Sequence, residues 1–244
     1  MSKIISEVFI SLQGEGLRTG IRSVFIRTLG CNLRCKWCDT PYTSWNLEKG
    51  IDEEYALEYI RQSDNTRDIV ITGGEPCLHT KFLYNLMKLC RERNKFVTLE
   101  TNGTIDEIHF NRNIVEAVDL VSISPKLKDS APNYDEKWFK LHNRERINLP
   151  VIRAWIDNAK DYQLKFVVNH DSEIEEINNL LREIEDLYED HISLDLNKIW
   201  LMPEGRTEEE LKAKREWLAK KCIETGFRYC ERQHIIIWGS KRGV

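Results

Sequence analysis

The chain lacks the features that would place it in a membrane, on a nucleic acid or in a secreted disulfide scaffold. In 244 residues no uninterrupted apolar run approaches the ~20 residues needed to cross a bilayer. Positive charge is not in excess: 36 Lys and Arg stand against 40 Asp and Glu, for a net −4 and a pI near 5.9. No basic surface therefore argues for nucleic acid. The opening run, Met1 to Glu7, has no apolar signal core and no cleavage site, so secretion is not expected. Gly/Ser linkers, low-complexity segments and internal repeats are also missing. One large domain over residues 1–244 is the expectation. The seven cysteines are an odd number and three are crowded together, which does not suit a disulfide framework. A reduced, cytoplasmic compartment is expected instead.

Strands and helices alternate along the chain. Strands are predicted over Val24 to Leu29, Asp68 to Thr72, Lys95 to Glu100, Leu120 to Ser124, Gln163 to Val168, Ile199 to Met202 and His234 to Trp238. Helices are predicted from Asp52 to about Gln62, Thr80 to Arg93, from Asp171 through Ile184, and from Thr207 to about Thr225. Repeated strand–helix units make an α/β fold with a parallel sheet and outer helices. In such folds chemistry collects at the C-terminal ends of the strands. The stretch 128–159 is polar and reads as an irregular insertion or excursion.

What the chain does have is a cysteine triad. Cys31, Cys35 and Cys38 follow a strand in the spacing C-x-x-x-C-x-x-C. Three thiolates on one loop can hold three irons of a cubic cluster and leave the fourth iron open to a small molecule. The rival is structural zinc, which wants four Cys or His ligands. Cys35 and Cys38 would form one C-x-x-C pair, Cys31 a third ligand, and distant His79 or His109 a fourth. The solitary Cys77, Cys90, Cys222 and Cys230 read as ordinary semi-buried side chains.

The C-x-x-x-C-x-aromatic-C pattern, with Trp37 in the aromatic place, resembles the radical S-adenosylmethionine (SAM) superfamily. Gly73-Gly74-Glu75-Pro76, after a strand, resembles that superfamily's segment for the SAM ammonium group. Glu100 and Asn102, in Glu100-Thr101-Asn102-Gly103, resemble its ribose-side segment. The resemblance implies a partial, open (β/α) barrel, a [4Fe–4S] cluster on the triad, and SAM on the open iron. There, reduction cleaves SAM to methionine and a 5′-deoxyadenosyl radical. Trp37, Cys38 and Asp39 would be further SAM contacts.

A narrower resemblance uses both ends of the chain. Leu12-Gln13-Gly14-Glu15-Gly16, Arg27, Cys38-Asp39-Thr40, Ser124-Pro125-Lys126 and the closing Trp238-Gly239-Ser240-Lys241-Arg242-Gly243-Val244 resemble the 7-carboxy-7-deazaguanine synthase family over almost the full length. That family converts 6-carboxy-5,6,7,8-tetrahydropterin to 7-carboxy-7-deazaguanine and releases ammonia. The resemblance places Leu12, Gln13, Gly14, Glu15, Arg27, Thr72 and His234 at the pterin, and Ser124, Pro125 and Lys126 at SAM. Arg27 would fork onto the substrate carboxylate. Thr40 would bind Mg²⁺ through its hydroxyl once substrate oxygens complete the shell. Asp39 would hold one of the waters. It also implies a homodimer and a flavodoxin- or ferredoxin-like electron donor. Asn102 stands where Gln is frequent in that family. Two other readings remain: a different radical SAM enzyme, such as a glycyl-radical activase, and a non-enzymatic iron–sulfur carrier.

Overall fold

The structure, a computed structural model, describes residues 3–106, 112–239 and 241–244. His109 and Ser240 lie outside the described residues. The strands are β1 (Ile5–Leu12), β2 (Arg22–Thr28), β3 (Asp68–Gly73), β4 (Phe96–Thr101), β5 (Leu120–Ile123), β6 (Tyr162–Val168), β7 (Ile199–Pro203) and β8 (Arg228–Tyr229). The helices are α1 (Pro41–Ser44), α2 (Glu53–Gln62), α3 (Thr80–Glu92), α4 (Arg112–Val115), α5 (Glu136–Glu145), α6 (Leu149–Asn158), α7 (Asp171–Glu185), α8 (Glu208–Thr225) and α9 (Gln233–Trp238).

All eight strands join one sheet whose spatial order equals their chain order. From β2 to β8 every pairing is parallel. Among the described residues β8 does not pair with β1, so the barrel is partial and open. The outward face is apolar: Ile69, Ile71, Leu99, Ile123, Leu164 and Phe166 pack with Leu83, Leu86, Ile177 and Leu218 of the helices. Helix starts follow their sequence signals. Asp52 accepts from Glu54 N, and Thr207 forms a reciprocal capping box with Glu210. Helix α7 begins one residue earlier than a cap at Asp171 would give, because His170 takes the N-cap position.

The inward face carries polar residues in register. Arg27 pairs with Thr72 across β2 and β3, and Glu100 with Ser122 across β4 and β5. These sit toward the C-terminal ends of their strands, where the cysteine loop also emerges. The opposite mouth is plugged by the loop after β1. Gly16 N donates to Cys230 Sγ at 3.0 Å, Leu17 N to Gln163 Oε1 at 2.8 Å, and Arg18 pairs with Asp68 at the start of β3. Gly16 has φ +68°, and a Cβ there would lie 2.3 Å from the Gln163 amide. Only glycine fits that turn.

Two expectations are corrected, and the expected parallel sheet gains an edge strand: β1 runs antiparallel to β2, with Leu12 opposite Arg22. Residues 13–21 are too few for a parallel crossover, which takes about a dozen residues or more. His234 to Trp238 is not a strand but lies in α9. Its three isoleucines favour a strand by propensity, yet Gln233 N bonds to Gly14 O at 3.0 Å and turns the chain into a helix that covers the β1 loop. The stretch 128–159 is largely helical, not irregular. Its first helix, α5, hides its pattern because its one buried residue is His142. The second, α6, contains Pro150 near its start and an Arg153 that is 1% exposed and paired with Asp157 and Asp190.

Candidate active site

A cavity of about 410 Å³ opens inside the barrel. Its wall brings together nearly every residue singled out in the sequence: Leu12, Gln13, Gly14, Glu15, Arg27, Cys31, Cys35, Trp37, Cys38, Asp39, Thr40, Thr72, Gly73, Gly74, Glu75, Glu100, Asn102, Ser124, Lys126 and His234. Pro125 is buried and does not line it. The sequence also missed residues that do, above all Lys165 and Arg232.

The three cysteines are free thiols, with Cys35 buried and Cys31 and Cys38 half-buried. Burial pushes Cys31 up to about 12 and raises Cys35 and Cys38 as well. Thiolates here need a cation to stabilise them. The three sulfurs do not all lie within 4.8 Å of one another. Zinc thiolates in a tetrahedron sit only about 3.8 Å apart, from bonds of about 2.3 Å. The sulfurs are not gathered as a single-ion site, and three thiolates on one loop are a donor set for three corners of a cube. His79 is not a fourth ligand, since its Nε2 meets Leu29 O at 2.6 Å.

Gly73 to Pro76 holds the start of the cysteine loop. Gly74 N bonds Thr28 O at 3.0 Å, and Glu75 N bonds Gly30 O at 2.8 Å. A Cβ on Gly74 would lie 2.0 Å from Gly30 O, so this glycine serves the loop as well as any ligand. Glu75 is fully buried. Its carboxylate accepts from Cys77 N, Thr101 Oγ1 and Asn102 N at 3.0, 2.8 and 2.7 Å, tying the ends of β3 and β4 together. Asn102 in turn reaches Asn32 of the cysteine loop at 2.9 Å. Lys126 Nζ donates to Ser124 O and Oγ and stands 5.9 Å from the Trp37 ring centre.

A chain of alternating charge crosses the cavity. Lys165 pairs with Glu15, Glu15 lies 3.3 Å from Arg232, and Arg232 pairs with Asp39. Gln13 joins from the side, donating to Glu100 at 3.1 Å. Burial opposes ionisation of Glu15, but Lys165, Arg232 and His234 outweigh it and hold the carboxyl well below its usual range. Burial opposes Asp39 likewise, and Arg232 prevails. Burial also lowers His234, whose Nδ1 lies 3.9 Å from Glu15. Gly14 is glycine because a Cβ would come within 2.7 Å of that same nitrogen.

Arg27 behaves differently. Its nearest anion is Glu7 at 3.8 Å, beyond hydrogen-bonding distance, and its Nε is buried without a partner. Among the described residues its guanidinium makes no hydrogen bond, so its donor fork is free at the cavity wall. The Thr40 hydroxyl is weakly held. It sits at the N-cap of α1 without capping it, and makes only a long contact to Cys38 Sγ at 3.9 Å. Lys165 was detectable in the sequence: Gln163, Lys165 and Val167 share one face of a strand whose other face is apolar. Arg232 sits in an irregular link before α9 and carried no such signal.

An open α/β barrel with three cysteines beyond its second strand defines the class, and the radical SAM superfamily matches residues 25–171. The chain belongs to that superfamily, which implies a [4Fe–4S] cluster and SAM. Within it, the chain is 38% identical to the 7-carboxy-7-deazaguanine synthase of Rhodopirellula baltica, over 100% of this chain and 89% of that one. It is 39% identical to that of Halobacterium salinarum, over 96% and 90%. Among solved structures, the crystal structure of QueE from Escherichia coli superposes with a TM-score of 0.64 at 27% identity, covering 95% of this chain and 94% of that one. The chain belongs to the 7-carboxy-7-deazaguanine synthase family.

Proposed function

We propose that this chain converts 6-carboxy-5,6,7,8-tetrahydropterin to 7-carboxy-7-deazaguanine with release of ammonia. The observation that carries the reading is the free Arg27 fork in the cavity that also contains the cysteine triad. The half-buried guanidinium makes no hydrogen bond and has Glu7 only at 3.8 Å, so its donors can take a second anion, and a planar carboxylate matches them. Gln13 presents an amide, and Glu15 a carboxylate held in its ionised form by Lys165 and Arg232, to the polar edge of a pterin. Thr72 and His234 complete that wall.

When bound, the cluster and SAM supply the radical that opens the chemistry at C6. Cys31, Cys35 and Cys38 would hold three irons. Trp37 would pack by the adenine, with Asp39, Gly73, Gly74, Glu100, Asn102, Ser124 and Lys126 as further contacts. Pro125 would shape the wall from behind. The Glu75 carboxylate is occupied within the protein, so its share would be to keep this wall in place. Thr40 would bind Mg²⁺ once the substrate carboxylate brings its oxygens, with Asp39, fixed by Arg232, holding a metal-bound water. The plug at residues 13–18 keeps bulk water from one mouth of the barrel, which protects a reactive radical.

The reading extends to a single catalytic unit over residues 1–244 that works as a homodimer in the cytoplasm, reduced by a flavodoxin- or ferredoxin-like donor. No helix among the described residues is long and apolar enough to cross a membrane. The test is turnover under anaerobic conditions with chemical reductant, SAM, Mg²⁺ and 6-carboxytetrahydropterin, read by mass spectrometry. Formation of 7-carboxy-7-deazaguanine is expected. Cluster-loaded protein that makes none would overturn the assignment.

A further inference from the structure

We propose that His142 is a positioning residue for the cluster loop, acting as a neutral imidazole that takes up the Arg34 amide between the first two cysteines. This rests on the reading above that Cys31, Cys35 and Cys38 carry a cluster. His142 lies on α5, in the segment 128–159 to which no role is otherwise given. It is fully buried.

Donor and acceptor roles fix its tautomer. Arg34 N donates to Nδ1 at 3.1 Å, so Nδ1 carries no proton. The proton is therefore on Nε2, which donates to Ser130 Oγ at 2.8 Å. Ser130 Oγ passes its own proton to Leu127 O at 2.6 Å. Every polar atom in this buried relay is satisfied in one direction only. Burial, with Lys126 and Arg146 nearby, pushes His142 down to about 4, which agrees with a neutral ring.

The same segment grips the loop twice more. Lys36 N, between the second and third cysteines, donates to Ser130 O at 2.9 Å. Trp138, one helical turn before His142, stacks on the Arg34 guanidinium, with Cζ 3.8 Å from the ring centre. That guanidinium donates to Cys31 O and Leu33 O, both at 2.8 Å. The amides of Arg34 and Lys36 are thus drawn outward to 127–142. Amides that turn inward can donate to cluster sulfurs, and such bonds raise a cluster's reduction potential. Holding them outward preforms the loop and keeps the potential low, as cleavage of a sulfonium requires.

Two variants separate this role from simple packing. His142→Asn puts its side-chain oxygen near the position of Nδ1 and keeps an acceptor for Arg34 N. His142→Gln reaches toward the Nε2 position and keeps the Ser130 contact but loses that acceptor. Each is made in the full chain, reconstituted anaerobically, and followed by visible absorbance during challenge with an iron chelator. Potential is measured by redox titration of the electron paramagnetic resonance signal. The Gln variant is expected to lose its cluster roughly tenfold faster or more than the parent, with a potential shifted positive, while the Asn variant stays near the parent in both. Equal behaviour of the two variants, whether both native-like or both impaired, would overturn the inference. A parent chain that assembles no cluster would instead overturn the functional reading.

Discussion

Replacing Lys165 with methionine tests whether the charged chain across the cavity supports the fold as well as the site. Lys165 is 6% exposed and Glu15 13% exposed in their side chains, and they form a direct ion pair. Removing one partner of a buried pair costs about 3–5 kcal/mol, because the remaining charge keeps its desolvation penalty. Arg232 at 3.3 Å and His234 at 3.9 Å still face Glu15, so the lower end, about 3 kcal/mol, is expected. In a chain of this size that lowers Tm by about 6–12 °C. The assay is thermal unfolding of cluster-free protein at pH 7 under reductant. Glu15→Gln combined with Lys165→Met removes both charges, and the double-mutant cycle should return a coupling of about 2 kcal/mol. Acid titration gives an independent sign. Glu15 has a lowered folded pKa, so its contribution is complete above the unfolded carboxylate value and fades as pH falls through the folded value. Without Lys165 the folded value rises and acid unfolding begins at higher pH. A single variant within about 0.5 kcal/mol of the parent, or strictly additive variants, would show that the pair does not stabilise the fold.

Three further outcomes are expected. Arg27→Gln should raise the KM for the carboxylated pterin by roughly 10–150-fold, the worth of a charge-assisted pair of hydrogen bonds, while SAM affinity and cluster content are unchanged. Steady-state kinetics with parallel iron analysis checks it, and an unchanged KM removes Arg27 from the substrate. Thr40→Ala should weaken the Mg²⁺ dependence of turnover with cluster content intact; loss of the cluster would contradict its role. Gly74→Ala should displace the cysteine loop, since the new Cβ would sit 2.0 Å from Gly30 O, and cost about 1–3 kcal/mol together with iron content. Full iron loading in that variant would show that the loop yields easily.

The site was legible where chemistry demands fixed spacing. Cys31, Cys35 and Cys38 must share a short loop, so their spacing shows in the sequence, whereas the packing of Gly74 against Gly30 does not. The parallel strands were legible from short apolar runs such as Ile69 to Ile71. What escaped depended on distant partners. The isoleucines of α9 favour extended chain, and only the bond from Gln233 to Gly14 turns them helical. Helix α5 has only a short apolar stripe, and its inward side chains Trp138 and His142 answer an arginine and a backbone amide. Lys165 and Arg232 are ordinary cations in the sequence. Their place in the cavity is set by Glu15 and Asp39, which approach from the far ends of the barrel.

In the proposed enzyme three cysteines leave one iron open at the wall of the cavity that Arg27 lines. Electron paramagnetic resonance of the anaerobically reconstituted, reduced protein, recorded before and after addition of SAM, reads that iron itself. A [4Fe–4S] signal whose shape changes when SAM binds is the predicted result. A colourless protein with bound zinc, or a cluster signal indifferent to SAM, would contradict it.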